Sequence, residues 1–344
     1  MDDSCGLQSS QAPSDASFSL ACPMCRESIE PLQAHIECAR CGESYDLRGG
    51  IWRFLPPERR KILEGFLCQY RAVRSSEGWG SPDSAYYRKL PFVPRDDPQS
   101  RIWRIRSKSC RLFTRLFGAA MPLRVLDAGA GNCWLSNRLM LLGNTVASVD
   151  ISDDPHDGLG AGSHYTTRPK SYQAEFDHLP FRSGQFDMVL FNGSLHYTPA
   201  LTPTLSEAGR MLRSQGRIVI MDSPLYSDAA SGRAMVEEME EKRARAGGQS
   251  EPGAHIGFLT ETLLRAACSE AGLCARFLRP DANWHQRLRR RWIRLHIGRE
   301  PARFPIITIE RAISLDAGGL GRYHRDGGEK AIVQHQRHYR KRLT

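Results

Sequence analysis

Two acidic residues and a glycine-rich turn offer the first chemistry in this chain of 344 residues. The apolar pair Val125-Leu126 ends in Asp127, after which the chain passes through Gly129-Ala130-Gly131. Apolar residues at helical spacing follow, which predicts a strand, a tight turn and a helix. The next predicted strand starts at Thr145 and ends in Asp150, and an acid at that position can accept hydrogen bonds from both hydroxyls of a ribose. Together these features predict a site for a nucleoside cofactor.

The glycine turn does not fit two common nucleotide-binding motifs. A dinucleotide fingerprint, G-x-G-x-x-G, would need a glycine where this chain has Trp134. A P-loop of the form G-x-x-x-x-G-K-[ST] does not occur in the sequence. What remains is Asp-x-Gly-x-Gly, followed by an acid at the end of the next strand.

That arrangement resembles motif I and the following acidic strand end of the class I S-adenosylmethionine-dependent methyltransferases. Segments 172–181 and 184–197 are similar to the third and fourth strands of that family with their loops, and 207–222 continues with a helix, a glycine turn and a fifth strand. The resemblance covers roughly residues 120–311 and departs at Cys133, where many relatives carry a third glycine. It implies an α/β fold with a doubly wound, mostly parallel seven-stranded sheet of the Rossmann-like methyltransferase type.

The same resemblance implies S-adenosyl-L-methionine as the cofactor and assigns roles to residues at or just after predicted strand ends. The implied cofactor-binding residues are Asp127, Ala128, Gly129, Gly131, Asp150, Ile151, Glu175, Phe176, Asn192 and Gly193. Asp127 and the glycine turn would line the amino-acid part of the cofactor, and Asp150 would hold the ribose. Glu175 and Phe176 would flank the adenine, and the loop from Asn192 would lie below the sulfonium.

Methyl transfer from a sulfonium is an in-line displacement that depends mainly on positioning. If the acceptor must also lose a proton, His196 is the best candidate for the base, because it follows the fourth strand and histidine titrates near neutral pH. Tyr197 and His255 are weaker candidates, and all three residues could equally serve only in packing. An Asp/Asn-Pro-Pro-Tyr motif and a Pro-Cys pair are both absent, which argues against two common forms of base methylation.

Four cysteines near the N-terminus predict a metal site. Cys22 and Cys25 are separated from Cys38 and Cys41 by twelve residues, which gives C-x₂-C-x₁₂-C-x₂-C. Such a pair of knuckles can place four thiolates tetrahedrally around Zn²⁺. With four ligands the zinc would be structural, and disulfide pairing is the alternative. The segment resembles the zinc ribbons ahead of some bacterial methyltransferases, including a 23S ribosomal RNA guanine methyltransferase.

The sequence divides into five segments and a basic insertion. We predict a disordered N-terminus over 1–18, a zinc ribbon over 19–55, a helical linker or cap over 56–120, the methyltransferase domain over 121–311 with a basic insertion over 283–303, and a basic tail over 312–344. Within the cap, Ile102, Ile105, Leu112, Phe113 and Leu116 are expected to form the apolar face of one helix.

The leading functional prediction is a cytoplasmic enzyme that methylates a small molecule or biosynthetic intermediate. The net charge of +10 and the arginine-rich segment 284–296 leave two further partners open, an RNA or an anionic surface. Methylation of ribosomal or transfer RNA is therefore an alternative. A regulator that binds the cofactor without turnover is another. No apolar run in the sequence is long enough to span a bilayer.

Overall fold

The computed structural model describes residues 18–31, 33–245, 255–278 and 284–312. The segments predicted to be a disordered N-terminus and a basic tail fall outside these ranges, apart from Phe18 and Ala312. Phe18 is buried and stacks on Phe186 with 5.0 Å between the ring centroids, so the predicted N-terminal boundary is one residue too late.

Five short strands come first in the described chain. They are β1 (Leu20–Ala21), β2 (Ser28–Ile29), β3 (His35–Glu37), β4 (Ser44–Arg48) and β5 (Ile51–Arg53). β1 pairs with β2, and β3 to β5 form an antiparallel meander.

Three helices follow, α1 (Pro57–Ser76), α2 (Ser84–Lys89) and α3 (Ser100–Phe117). Proline at the first helical position of α1 costs no hydrogen bond and favours a helix start there. The helix expected around Ile102 to Leu116 is present as α3, but its predicted buried face is wrong. Trp103, Cys110 and Phe113 are buried, whereas Ile102 and Ile105 are exposed. Trp103 determines which face of α3 is turned toward the core, because its ring packs edge-to-face against Trp79 and Trp134.

The remaining elements alternate between strands and helices. They are β6 (Arg124–Ala128), α4 (Trp134–Leu141), β7 (Thr145–Asp150), β8 (Lys170–Gln173), β9 (Phe186–Asn192), α5 (Leu201–Met211), β10 (Leu212–Met221), β11 (Leu225–Tyr226), α6 (Ala229–Arg245), β12 (Leu259–Thr260), α7 (Glu261–Glu270), β13 (Leu273–Leu278), α8 (Trp284–Ile297) and β14 (Ile306–Arg311). β11 and β12 form a small sheet of their own.

The main sheet has ten strands in the described part of the chain, in the order β13-β14-β10-β9-β6-β7-β8-β5-β4-β3. The seven strands from β13 to β8 match the predicted sheet, and β14 is antiparallel to its neighbours. The predicted number of seven strands is too low, because β5 pairs in parallel with β8 and so adds β5, β4 and β3 to the sheet. This pairing sets Trp52 opposite Tyr172. An edge strand exposes unpaired backbone groups, and the N-terminal meander covers those of β8.

Side chains alternate between the two faces of the sheet, and each face has its own core. Val125 and Met188 pack into the cluster that contains the buried faces of α3 and α4. Leu126 and Val189 pack into the other cluster, with α5 and α7. Helices therefore cover both faces, as predicted for a doubly wound fold, and the carboxyl ends of the parallel strands lie along one edge.

Candidate functional site

A cavity of about 310 Å³ opens at the carboxyl ends of β6, β7, β8 and β9. Residues that follow each of these strands line it, in agreement with the rule that ligands bind beyond the carboxyl ends of parallel strands. One face of α1 supplies the opposite wall through Leu63, Phe66 and Tyr70, which are spaced three and four residues apart. That spacing is visible in the sequence after Pro57, but these residues were not among the predicted site residues.

The glycine turn brings the backbone close to the β9 loop. A Cβ atom added to Gly129 would lie 2.2 Å from Cβ of Ser194, and Gly129 has φ +79°. Ser194 is fixed in place because its hydroxyl donates to the carbonyl of Ala128 at 2.6 Å. Position 129 therefore requires glycine both for its backbone conformation and for space.

Asp150 presents a fixed carboxylate to the cavity. Its Oδ2 accepts a hydrogen bond from the backbone N–H of Gly131, and its Oδ1 accepts one from that of Ser152, both at 2.8 Å. Burial raises the pKa of Asp150 to about 6, although these two backbone donors favour the ionised form. At neutral pH the group is mainly ionised and each oxygen keeps a lone pair for a further donor.

Glu175 and Phe176 line the cavity beyond β8, and Ile151 lines it directly after β7, the strand between β6 and β8. The carboxylate of Glu175 accepts two hydrogen bonds from Arg59 of α1, at 2.9 Å and 2.5 Å. The Phe176 ring packs edge-on against Phe191, with 5.6 Å between centroids.

Eight of the ten predicted cofactor-binding residues line the cavity, namely Gly129, Gly131, Asp150, Ile151, Glu175, Phe176, Asn192 and Gly193. Asp127 and Ala128 are not among the lining residues. Asp127 is buried behind the turn, where Ser136 donates to its Oδ2 at 2.6 Å and Oδ1 has no hydrogen-bond partner among the residues that the structure describes. Burial raises the pKa of Asp127 to about 7.

Of the three candidate bases, Tyr197 and His255 line the cavity and His196 does not. The Nδ1 atom of His196 lies 3.4 Å from the hydroxyl of Ser223. Burial lowers the pKa of His196 to about 3, and the charges of His255 and Arg106 act in the same direction. An imidazole with this pKa is neutral at pH 7, but it is a weak base.

Among the described residues, three arginines line the cavity, and two of them face acids. Arg59 is paired with Glu175, and Nη2 of Arg74 donates to Asp157 at 3.1 Å. A second cavity of about 430 Å³ is also lined by Arg74 and shares Tyr70 and Asp157 with the first. The third arginine, Arg106, comes from α3.

The four N-terminal cysteines lie together. Their sulfur atoms are all within 4.8 Å of one another, with 3.6 Å between Cys22 and Cys41 and 3.4 Å between Cys25 and Cys38. The two knuckles have matching backbone geometry. The N–H of Arg26 bonds to the carbonyl of Cys22, the N–H of Gly42 bonds to that of Cys38, and residues 26 and 42 both have positive φ.

The arginine-rich segment 284–296 forms most of α8. Leu288, Trp292 and Leu295 are 53%, 60% and 83% exposed, and their spacing places them on one face of the helix. Arg290 instead donates to the carbonyl of Pro301 and to Glu300. None of the described helices is both long and apolar enough to cross a membrane.

Residues 126–220 match the family model described as "Methyltransferase domain". The chain is similar to the malonyl-[acyl-carrier protein] O-methyltransferase of Geobacter sulfurreducens, with 28% identity over 172 residues, which cover 47% of this chain and 60% of the relative. It is also similar to the ubiquinone/menaquinone biosynthesis C-methyltransferase of Rhizobium johnstonii, with 26% identity over 105 residues, 29% of this chain and 41% of the relative. The chain spans about half the length of the curated relatives it matches.

Among solved structures, the chain resembles the magnesium protoporphyrin IX methyltransferase of Synechocystis with bound S-adenosylhomocysteine. The identity is 15% and the TM-score is 0.43, with 74% of this chain and 98% of the other covered. The matched family model and the curated relatives support the methyltransferase domain that the sequence predicted.

Proposed function

We propose that this chain binds S-adenosylmethionine in the cavity over β6 to β9 and transfers its methyl group to a small-molecule acceptor. The observation that carries the proposal is the juxtaposition of Asp150, Phe176 and the glycine turn around one cavity in a domain of this family. The curated relatives are O- and C-methyltransferases by name, which supports an acceptor outside nucleic acid.

Each wall of the cavity has a part in this proposal. The carboxylate of Asp150 accepts hydrogen bonds from the ribose hydroxyls, because its orientation is fixed by two backbone donors. Phe176 packs on the adenine, and Glu175 holds α1 over it through Arg59. Gly129 lets the methionine part approach the backbone. Asp127 supports the turn from behind through Ser136 rather than touching the donor.

The bound donor supplies a methyl group that is already electrophilic, so the chain mainly has to position the acceptor and exclude water. Tyr197, His255, Phe66 and Tyr70 form an aromatic wall, with ring centroids 5.5 to 6.5 Å apart. We propose that this wall contacts the acceptor. The role of His196 as a base stays a prediction. It requires a proton path into the cavity, because the imidazole lies outside the lining residues.

Methyl transfer can be tested with S-adenosylmethionine labelled in the methyl group. The purified full-length chain is incubated with small-molecule, lipid and RNA fractions of a cell extract. Label in a small molecule supports the proposal, label in RNA supports the alternative substrate, and binding without label in any fraction supports a regulator. With an accepting fraction in hand, loss of rate in His255→Ala but not in His196→Ala would assign the acceptor contact to the wall.

We also propose that the four cysteines hold a structural Zn²⁺. Tetrahedral coordination with Zn–S bonds of ~2.3 Å separates the sulfur atoms by about 3.8 Å. The sulfur–sulfur distances of 3.6 Å for Cys22 and Cys41 and 3.4 Å for Cys25 and Cys38 are slightly shorter than that. Four thiolates leave no ligand position for a substrate. The thiols must be reduced, and the predicted cytoplasmic location, which stays a prediction, would keep them so.

We propose in addition that α8 contacts an anionic membrane surface. Its exposed apolar face carries Trp292 and Leu295. Each of these residues directly follows an exposed arginine, Arg291 and Arg294 respectively. Flotation with phosphatidylglycerol vesicles should recover the parent but not a Trp292→Ala, Leu295→Ala variant. Leu141→Ala removes another exposed leucine, on α4, and serves as the control. Equal recovery of all three proteins, or loss of RNA binding instead, would contradict this proposal.

A further inference from the structure

Arg106 differs from the other arginines of the cavity because it forms no direct ion pair with an acid of the described residues. It comes from α3 and lines the cavity, yet it forms no hydrogen bond or ion pair with any residue in the described ranges. Arg59 and Arg74 line the same cavity and are paired with Glu175 and Asp157.

Aromatic rings hold the guanidinium of Arg106 in position. Its central carbon lies 4.9 Å from the ring centroid of Trp103 and 5.3 Å from that of Trp79. Such contacts attract a cation but do not neutralise it. The guanidinium carbon of Arg74 lies 3.6 Å from the ring centroid of Trp79. The cations of Arg74 and Arg106 therefore both lie against the same indole ring.

The acid after β10, Asp222, attracts Arg106 electrostatically but forms no direct ion pair with it. Oδ1 of Asp222 accepts a hydrogen bond from Ser109 at 2.5 Å, and neither oxygen of Asp222 forms an ion pair with Arg106. Burial lowers the pKa of Arg106 and the charge of Arg74 lowers it further, whereas the charges of Asp222 and Asp157 act in the opposite direction. A partly buried cation that makes no direct ion pair is incompletely compensated, and an anionic ligand in the cavity that bonds to it directly would reduce that cost.

The position of Arg106 along the sheet indicates which end of a ligand it would meet. Ser109, one helical turn further along α3, is bonded to Asp222 directly after β10. Glu175 and Phe176 follow β8, and β9, β6 and β7 lie between β10 and β8. Arg106 therefore stands away from the proposed adenine position, on the side of the amino-acid end of the donor and of the acceptor.

We infer that Arg106 is a carboxylate-binding residue of this cavity. A guanidinium can form two parallel hydrogen bonds with a carboxylate, which a single point charge cannot. The inference rests on the proposed function, and two carboxylates meet its chemistry. One is the amino-acid carboxylate of the methyl donor, and the other is a carboxylate on the acceptor.

Calorimetric titration of the full-length chain tests the inference and separates the two sources. The probes are S-adenosylhomocysteine, 5′-methylthioadenosine, which lacks the amino-acid part, and malonate added to protein saturated with S-adenosylhomocysteine. The variants are Arg106→Gln and Arg106→Lys. Arg104→Gln, an exposed position on the same helix, is the control.

If Arg106 binds the donor, Arg106→Gln lowers the affinity for S-adenosylhomocysteine by about tenfold or more. The affinity for 5′-methylthioadenosine then stays within about twofold of that of the parent. Arg106→Lys then recovers only part of the loss. If Arg106 binds the acceptor, S-adenosylhomocysteine is unaffected and only malonate binding is lost. Equal affinities in Arg106→Gln and Arg104→Gln for all three probes would overturn the inference. So would an equal loss of both adenosine ligands, which would indicate a collapsed cavity. A parent that binds no S-adenosylhomocysteine would instead refute the proposed function.

Discussion

Arg59 and Glu175 join the first helix to the end of β8 across 116 residues of sequence. The pair is bidentate, with Arg59 44% exposed and Glu175 15% exposed. The pair fixes α1 over the cavity. It also means that the carboxylate of Glu175, which was predicted to flank the adenine, is bonded to the guanidinium of Arg59. Glu175 therefore acts on the proposed site partly through the position of α1.

Breaking this pair should affect the escape of a ligand more than the stability of the fold. A half-exposed ion pair contributes up to about 1 kcal/mol, so Arg59→Gln should accelerate dissociation of S-adenosylhomocysteine by up to about fivefold with a small change in Tm. Stopped-flow displacement measures the rate. Arg245→Gln breaks an exposed pair on α6, remote from the cavity lining, and should leave it unchanged. Equal rates in all three proteins would show that α1 does not retain the ligand.

Gly129→Ala should abolish cofactor binding. The new Cβ would meet Ser194 at 2.2 Å, and the residue would keep a positive φ that costs an L-residue about 1 kcal/mol or more. Gly143→Ala is matched for strain, with φ +83° and no atom within 4 Å. Calorimetry and thermal unfolding of both variants separate the two effects. Binding retained by Gly129→Ala would place the ligand elsewhere.

Affinity for S-adenosylhomocysteine should fall as the pH drops below about 6. Only the ionised carboxylate of Asp150 accepts hydrogen bonds at both oxygens, and burial raises its pKa to about 6. The affinity should therefore decrease by at most about tenfold per pH unit between pH 6 and pH 5. Asp150→Asn should bind weakly and without this dependence. A parent affinity that stays constant down to pH 5 would contradict the assigned role.

The same carboxylate has the opposite effect on folding. Its pKa rises from ~3.9 in the unfolded chain to about 6 in the folded one, so the folded state holds more protons between these values. The contribution of Asp150 to stability therefore falls as the pH rises through that interval. Parallel unfolding curves of Asp150→Asn and the parent separate this effect from ligand binding.

Removal of the proposed zinc should destabilise the N-terminal module and weaken cofactor binding. β5 pairs with β8, and α1 starts at Pro57, close after β5 ends at Arg53. Loss of the metal would therefore loosen the wall that α1 provides. Metal analysis should find one Zn²⁺ in the parent and in Cys274→Ser, an exposed thiol, but none in Cys22→Ser. Cys22→Ser should also unfold at a lower temperature. A fully folded parent without metal would refute the zinc site.

Local sequence patterns were enough to predict the strands, the glycine turn and the acids that line the cavity, because each depends on neighbouring residues. Asp150 and Glu175 reach one cavity since parallel strands end at one edge of the sheet. The three added strands could not be predicted in this way. β5 joins β8 through backbone groups, which carry no side-chain signal. The buried face of α3 also could not be predicted, because it depends on the packing of Trp103 against two tryptophans from other segments of the chain.

The position of a side chain relative to the cavity is likewise a tertiary property. Asp127 and His196 have residue types that suit the chemistry, yet one is bonded to Ser136 in the core and the other lies against Ser223. Arg106 belongs to no motif, and only the structure shows that it lines the cavity without a direct ion pair to any residue in the described ranges.

Titration of S-adenosylhomocysteine into the purified chain is the most direct test of the central claim, that an adenosine-based methyl donor occupies the cavity around Gly129 and Asp150. We expect one binding site per chain, competition by S-adenosylmethionine, and loss of binding in Asp150→Ala with the fold retained. No heat with either compound, together with saturable binding of a nicotinamide or flavin nucleotide, would contradict the claim.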